Sequence, residues 1–180
     1  MFKALRVGFL ISFVGPLVFV LTVTMIKEAY DDMKRYNKDC EQNARKFEKI
    51  DLNAGVIREV EASTLSVGDL VKIHVNQAAP ADLILVYVTD KSDAVFIRTD
   101  QLDGETDWKA RRPLNTTHKH ITKLTDLTKF AEDVVLCEQP NQAIYDFTGL
   151  YTHKNPVTGV EEKEALGLEN TMWANTVLAS

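Results

Sequence analysis

From Val7 to Ile26 the chain carries no charged side chain, reading VGFLISFVGPLVFVLTVTMI. A helix of about 20 residues rises about 30 Å, the thickness of a bilayer's hydrocarbon core. The pattern predicts one transmembrane helix within residues 1–27. Ser12, Thr22 and Thr24 are its polar side chains, and their hydroxyls can bond back to helix carbonyls. Pro16, after Gly15, removes a backbone hydrogen bond and predicts a kink. In lipid that is tolerated where neighbouring helices or water satisfy the freed carbonyl. A secretory signal peptide fits less well, because the run is long and Lys27-Glu28 follows it without a small-residue cleavage site. Lys3 and Arg6 precede the run, whereas Lys27, Lys34, Arg35, Lys38, Arg45 and Lys46 follow it. That excess assigns the C-terminal part to the cytoplasm. The sequon Asn115-Thr116-Thr117 would then stay unused.

Residues 28–47 mix charges closely and contain no Gly or Pro, which predicts a helical stalk. Glu28 and Asp32 come near Lys34 and Arg35 on its surface, and Lys34, Arg35 and Lys38 are candidates for contact with anionic membrane lipids. Beyond residue 47 the period shortens. Strand-type runs occupy Gly55–Glu61, Leu70–Val75, Leu83–Val88, Val95–Thr99, Val134–Glu138 and Phe147–Tyr151. Turn signals separate them at Asn53-Ala54-Gly55, Val67-Gly68-Asp69, Ala79-Pro80-Ala81-Asp82 and Asp90–Asp93. Residues 48–180 therefore read as a mainly β domain, a sandwich or jelly roll. A short helix is expected at Thr125–Glu132, and a polar surface loop at His153–Glu164.

Composition adds exclusions. With 26% charged and 45% hydrophobic residues the chain is globular rather than disordered, and its net charge of -5 does not suit nucleic acid. Cys40 and Cys137 are far apart and lack metal-type spacing, so two reduced thiols are expected. His118-Lys119-His120 has no Cys or acidic ligand beside it and reads as a polar loop. His74 is expected half-buried on a strand, and His153 in the variable loop. Trp108 and Trp173 read as packing or anchoring aromatics, and Asp82 as a turn cap.

The informative chemistry lies in Thr99-Asp100-Gln101-Leu102-Asp103-Gly104-Glu105-Thr106-Asp107-Trp108-Lys109. Asp103-Gly104 is a turn signal directly after a strand, and it places Glu105 on a loop apex. A carboxylate on a tight loop held by a sheet can be delivered to another surface as a general base. Alone, Asp-Gly-Glu-Thr is also what an ordinary hairpin turn looks like. The order of the blocks changes the weighing.

VGDLVKI (Val67–Ile73), PADLILV (Pro80–Val86) and TDQLDGETDWK (Thr99–Lys109) resemble consecutive blocks in the actuator domain of P-type ATPases. Cation pumps of that family carry Thr-Gly-Glu in the loop. Asp103 in place of the threonine is similar to the type IV pumps, the phospholipid flippases. Asp107-Trp108-Lys109 and the block Leu168–Thr176 resemble the branch that works without an accessory subunit. The apolar run resembles the family's second membrane helix. Many members have glycine where Asn76 stands; Asn also tolerates a left-handed backbone, so the turn is expected to survive.

The resemblance implies a distorted jelly-roll actuator domain over 48–180, preceded by the membrane helix and stalk. It implies that Glu105 activates water to hydrolyse an aspartyl phosphate, while Asp103, Gly104 and Thr106 shape its loop. Thr106 is expected to bond the Glu105 carboxylate or backbone. ATP and Mg2+ would belong to phosphorylation and nucleotide-binding domains whose Asp-Lys-Thr-Gly block this sequence does not contain. The 180 residues alone are expected to be inactive. The implied partners are phospholipid and those domains, and the implied place is a Golgi or endosomal membrane with the β domain cytoplasmic. Two other readings remain at this point: the actuator region of a cation-transporting P-type ATPase, and a stand-alone membrane-anchored β domain that binds a partner without catalysis.

Overall fold

A computed structural model describes residues 10–179, except 53, 91, 122, 140, 141 and 155–158. The chain divides into two units, Met1–Arg45 and Lys46–Ser180.

The described part of the first unit is one helix, α1 (Leu10–Asn43), unbroken through Pro16. The apolar run and the charged stalk are thus successive stretches of a single element. Residues 17–26 are all exposed, so the helix is apolar on every side over that stretch. Thr22 and Thr24 donate to the carbonyls of Val18 and Val20, at 2.7 and 2.9 Å, so neither hydroxyl is left unsatisfied. Val7 to Phe9 of the expected span lie outside the described residues. Among the described residues no helix is long and apolar enough to cross a membrane. In the charged half Asp32 pairs with Arg35 at 3.6 Å, a surface contact of little energetic weight.

The second unit is mainly β. Its strands are β1 (Lys46–Asp51), β2 (Val56–Glu61), β3 (Leu70–Lys72), β4 (Leu83–Ile84), β5 (Val95–Arg98) and β6 (Trp108–Arg111). After helix α2 (Asn115–His120) come β7 (Val134–Cys137), β8 (Gly149–Lys154), β9 (Glu161–Leu166), β10 (Thr171–Met172) and β11 (Val177–Leu178). Among the described residues they pair antiparallel in four small sheets, ordered β2-β1-β3, β10-β4, β11-β5-β6 and β7-β8-β9. The helix expected at Thr125–Glu132 is a 3-10 helix over Leu124–Phe130.

Several elements differ from the pattern's expectation. β1 begins at Lys46, inside the expected stalk. Its charges hid it: Glu48 pairs with Lys72 at 3.0 Å and Lys49 with Asp69 at 2.6 Å, while Phe47 and Ile50 turn inward. The expected loop His153–Glu164 instead contains the end of β8 and most of β9. Glu161–Glu164 is polar because β9 is a sheet edge with one wet face. His153 is buried, with Nδ1 2.8 Å from Asp133 Oδ1, and Tyr151 donates its hydroxyl to the same carboxylate. His118-Lys119-His120 is the last turn of α2 rather than a loop. That helix starts on Glu164, whose carboxylate accepts the N–H groups of Asn115 and Thr116 at 2.8 and 2.9 Å. Burial pushes the Glu164 carboxyl up, but these N–H groups and the Asn115 and Thr116 side chains outweigh it, leaving a net lowering. His74 lies beyond β3 and is exposed, 3.2 Å from Glu48 Oε2.

Among the described residues three apolar clusters form the core: Ile50, Ile121 and Leu127; Ala79, Ile97 and Met172; Leu114, Tyr151 and Leu166. Two-residue alternation in β4 sends Leu83 to the second and Ile84 to the third. The C-terminal segment sews these parts together. Ala79 donates to the Thr176 carbonyl at 2.9 Å, Asn175 donates back to Ala79 at 3.0 Å, and Asp82 accepts the Ala174 N–H at 2.9 Å.

Asn76 has φ of 64° and donates its N–H to the Leu178 carbonyl at 2.7 Å. A left-handed backbone is open to Gly and tolerable for Asn, but it crowds a β-branched side chain. Asn76→Gly should therefore leave urea-unfolding stability within about 0.5 kcal/mol of the parent, and Asn76→Val should lower it by about 1–2 kcal/mol. Equal stability of the Gly and Val variants would mean that this turn does not require the left-handed conformation.

Candidate functional site

The β5–β6 hairpin presents the loop 99–107. Arg98 pairs with Trp108 at its mouth, and β5 is the central strand of its sheet. Val95 and Ile97 point into the core while Phe96 and Arg98 point out, so the strand is held firmly on one face. Leu102 and Asp103 both donate their N–H groups to the Thr99 carbonyl, at 2.8 and 3.0 Å, which curls the chain.

Asp103 organises the curl. Its side chain is only 3% exposed. Its carboxylate accepts the Thr99 hydroxyl at 3.0 Å, the Glu105 N–H at 3.0 Å and the Lys109 ammonium at 2.5 Å. The Tyr145 hydroxyl approaches the same group at 3.4 Å. The Lys109 hydrogen bond, set against burial and helped by the Glu105 N–H and Thr99, holds the Asp103 carboxyl down at about 2. Gly104 follows with φ of 75°, and a Cβ there would meet nothing within 4 Å. Conformation, not space, is therefore what calls for glycine.

Glu105 is the exposed member. Its side chain is 55% accessible, and Oε2 lies 2.8 Å from the Lys109 ammonium. Thr106 is exposed, and among the described residues its hydroxyl has no hydrogen-bond partner. Of the four residues singled out, Asp103, Gly104 and Glu105 act together in the hairpin, and Thr106 is adjacent without a side-chain bond. Trp108 is 61% exposed, against the expectation of a packed residue, and it leans on Phe96 with ring centroids 6.2 Å apart.

Lys109 and Tyr145 complete the site. Hydrogen bonds donated to Asp103 and then to Glu105 hold the Lys109 ammonium above the ordinary lysine range. The ammonium also lies 5.2 Å from the Tyr145 ring centroid, a cation–π contact. Tyr145 is placed by its neighbours: Trp173 donates its indole N–H to the Ile144 carbonyl at 2.9 Å and meets the Phe147 ring edge-on at 5.8 Å. A cavity of about 180 Å³ opens between the hairpin and this segment, with Thr99, Lys109, Arg111, Tyr145 and Trp173 in its wall. Arg111 is buried and donates to the carbonyls of Thr171 and Ala110, at 2.8 and 3.0 Å. Among the described residues no three His, Cys, Asp or Glu side chains group so as to hold a metal ion.

Chemically, the arrangement is an accessible carboxylate on a loop whose backbone is fixed from below. It can take a proton from a molecule presented by another surface. Sequence reasoning assigned no role to Lys109, although its spacing of four residues from Glu105 was a usable signal. Tyr145 had none, because a contact across many residues brings it in.

No family model matches the chain. Relatives are clear. The chain is 42% identical over 177 residues to the probable phospholipid-transporting ATPase tat-5 of Caenorhabditis elegans. It is 41% identical over 177 residues to phospholipid-transporting ATPase NEO1 of Saccharomyces cerevisiae, and 37% identical over the same length to the human probable phospholipid-transporting ATPase IIB. Each match takes in 98% of the chain, and the chain spans 16%, 14% and 15% of the three proteins respectively.

The lowered Asp103 carboxyl has a pH consequence. A group whose folded value lies below its ordinary 3.8 adds stability above that value and loses it as pH falls toward about 2. Thermal unfolding followed from pH 5 down to about 2 should show this acid loss in the parent. Asp103→Asn should start from a lower midpoint at neutral pH and fall less steeply over that window. Parallel curves would show that the carboxylate charge contributes nothing.

Proposed function

In sequence this chain belongs to the phospholipid-transporting ATPases, and from that kinship we propose that it is the actuator region of such a pump. The residues 48–180 would be the jelly-roll actuator domain, and Glu105 its catalytic group. The observation that carries the reading is the geometry of one hairpin: an exposed Glu105 carboxylate follows a Gly104 turn that the nearly enclosed Asp103 holds in shape. The relatives are named as phospholipid-transporting ATPases, which favours this reading over a cation pump.

In this reading an aspartate elsewhere in the pump carries a phosphoryl group, a covalent intermediate. Water attacks the phosphorus, the acyl phosphate P–O bond breaks, and aspartate and inorganic phosphate result. Glu105 orients the water and takes its proton. Gly104 contributes a surface without a side chain, so that the loop can come close to the phosphoryl group. ATP and Mg2+ would be held by other parts of the pump, the cation neutralising phosphoryl charge.

The apolar stretch of α1 supports the membrane half of the proposal. Ten successive exposed residues, 17–26, leave no polar face for water. We place the span Val7–Ile26 in the bilayer, with the β unit cytoplasmic by the basic residues that follow. A Golgi or endosomal membrane, phospholipid as cargo and independence from an accessory subunit complete the proposal on kinship.

Glu105→Gln in the pump carrying this segment tests the central role. Phosphoenzyme formed from radiolabelled ATP should accumulate, with phosphate release slowed about 10²–10⁴-fold. Release at the parental rate would remove Glu105 from the chemistry.

A further inference from the structure

The Glu105 carboxylate is accessible but not loose. Two carboxylates, Asp103 and Glu105, stand two residues apart on one loop and would repel each other. One cation lies between them. Lys109 Nζ is 2.5 Å from Asp103 Oδ2 and 2.8 Å from Glu105 Oε2, and its side chain is only 21% exposed. The ammonium does not come from the loop. Lys109 belongs to β6, where it pairs with the fully buried Ile97 of β5, so its stem leaves a rigid ladder. Tyr145 closes a third side, with its ring 5.2 Å from the ammonium and its hydroxyl toward Asp103. Arg111, two residues further along β6, is the other cation in the cavity wall, and it donates to backbone carbonyls.

We infer that Lys109 is the positioning residue for Glu105, holding its carboxylate in one orientation from the sheet while Asp103 holds the loop backbone. The inference rests on the catalytic reading of Glu105 for its functional meaning, but not for its geometry. The division of labour follows from the bonds. Asp103 takes the Glu105 N–H and so fixes the main chain, whereas Lys109 takes the Glu105 Oε2 and so fixes the side chain. An ammonium has three protons to donate and no acceptor site, so it can serve both carboxylates together.

The test is side-chain relaxation of Glu105 by carbon-13 NMR in the full chain of 180 residues in detergent micelles. In the parent, Glu105 should be markedly more ordered than the exposed Glu162 of β9. Lys109→Met should drop its order parameter below about 0.6, the flexible range, while the amides of residues 102–105 stay ordered. Lys109→Arg, which keeps the cation, should restore it. In the pump the Met variant should release phosphate about tenfold more slowly than the parent, with recovery in the Arg variant. If Glu105 moves as freely as Glu162 in the parent, the inference falls, whatever the variants do to folding. It falls equally if Arg behaves like Met. These relaxation measurements involve no phosphate turnover, so they fail or hold independently of the Glu105→Gln experiment.

Discussion

A carboxylate that is almost shut away from water must find its partners inside the protein, and Asp103 imposes that demand on everything around it. It draws a hydroxyl from Thr99 at the end of β5, an N–H from the loop itself and an ammonium from β6. Those three groups can meet only if the hairpin is paired in the register that sets Ile97 opposite Lys109. The loop is therefore not an independent decoration on the sheet. Its shape, the left-handed Gly104 and the outward course of Glu105 all follow from satisfying one enclosed charge.

This also separates two properties that a loop carboxylate must combine. Access comes from Glu105 itself, more than half exposed. Order comes from groups beneath it that are not exposed. A site built on regular strands can be held more tightly than one built on a free loop, and here the strand ends reach into the loop through Thr99 and Lys109. Kinship with phospholipid-transporting ATPases gives the arrangement its proposed task.

What could be read along the chain was what is local. The apolar run, the strand runs around Val95 and Val134, the Asp103-Gly104 turn and the tolerance of Asn76 for a positive φ are all encoded within a few residues. Elements whose cause lies far away could not be read. Helix α2 has no cap in its own sequence, because Glu164 supplies it from β9. β1 and β9 are so heavily charged that their alternation is masked, and they exist because a neighbouring strand accepts their backbone. β10 and β11 are two residues each, too short for any period to register. Within the site the same division holds. Lys109 lay inside the informative motif, whereas Tyr145 reaches the site from far along the chain, beside the bond between Trp173 and Ile144.

β10 and β11 close sheets begun much earlier, Met172 against Leu83 and Leu178 against Ile97. Such pairings carry high loop-closure entropy and form late. On the ribosome, the hairpin bearing Glu105 emerges well before its third strand. Until residues 171–178 follow, β4 has no partner and one side of β5 is an open edge, the kind of surface that invites wrong pairing between nascent chains. The closing segment thus serves as a timer for folding as much as a strut. The hairpin loop can be drawn early, but its sheet is sealed only once residues 171–178 arrive.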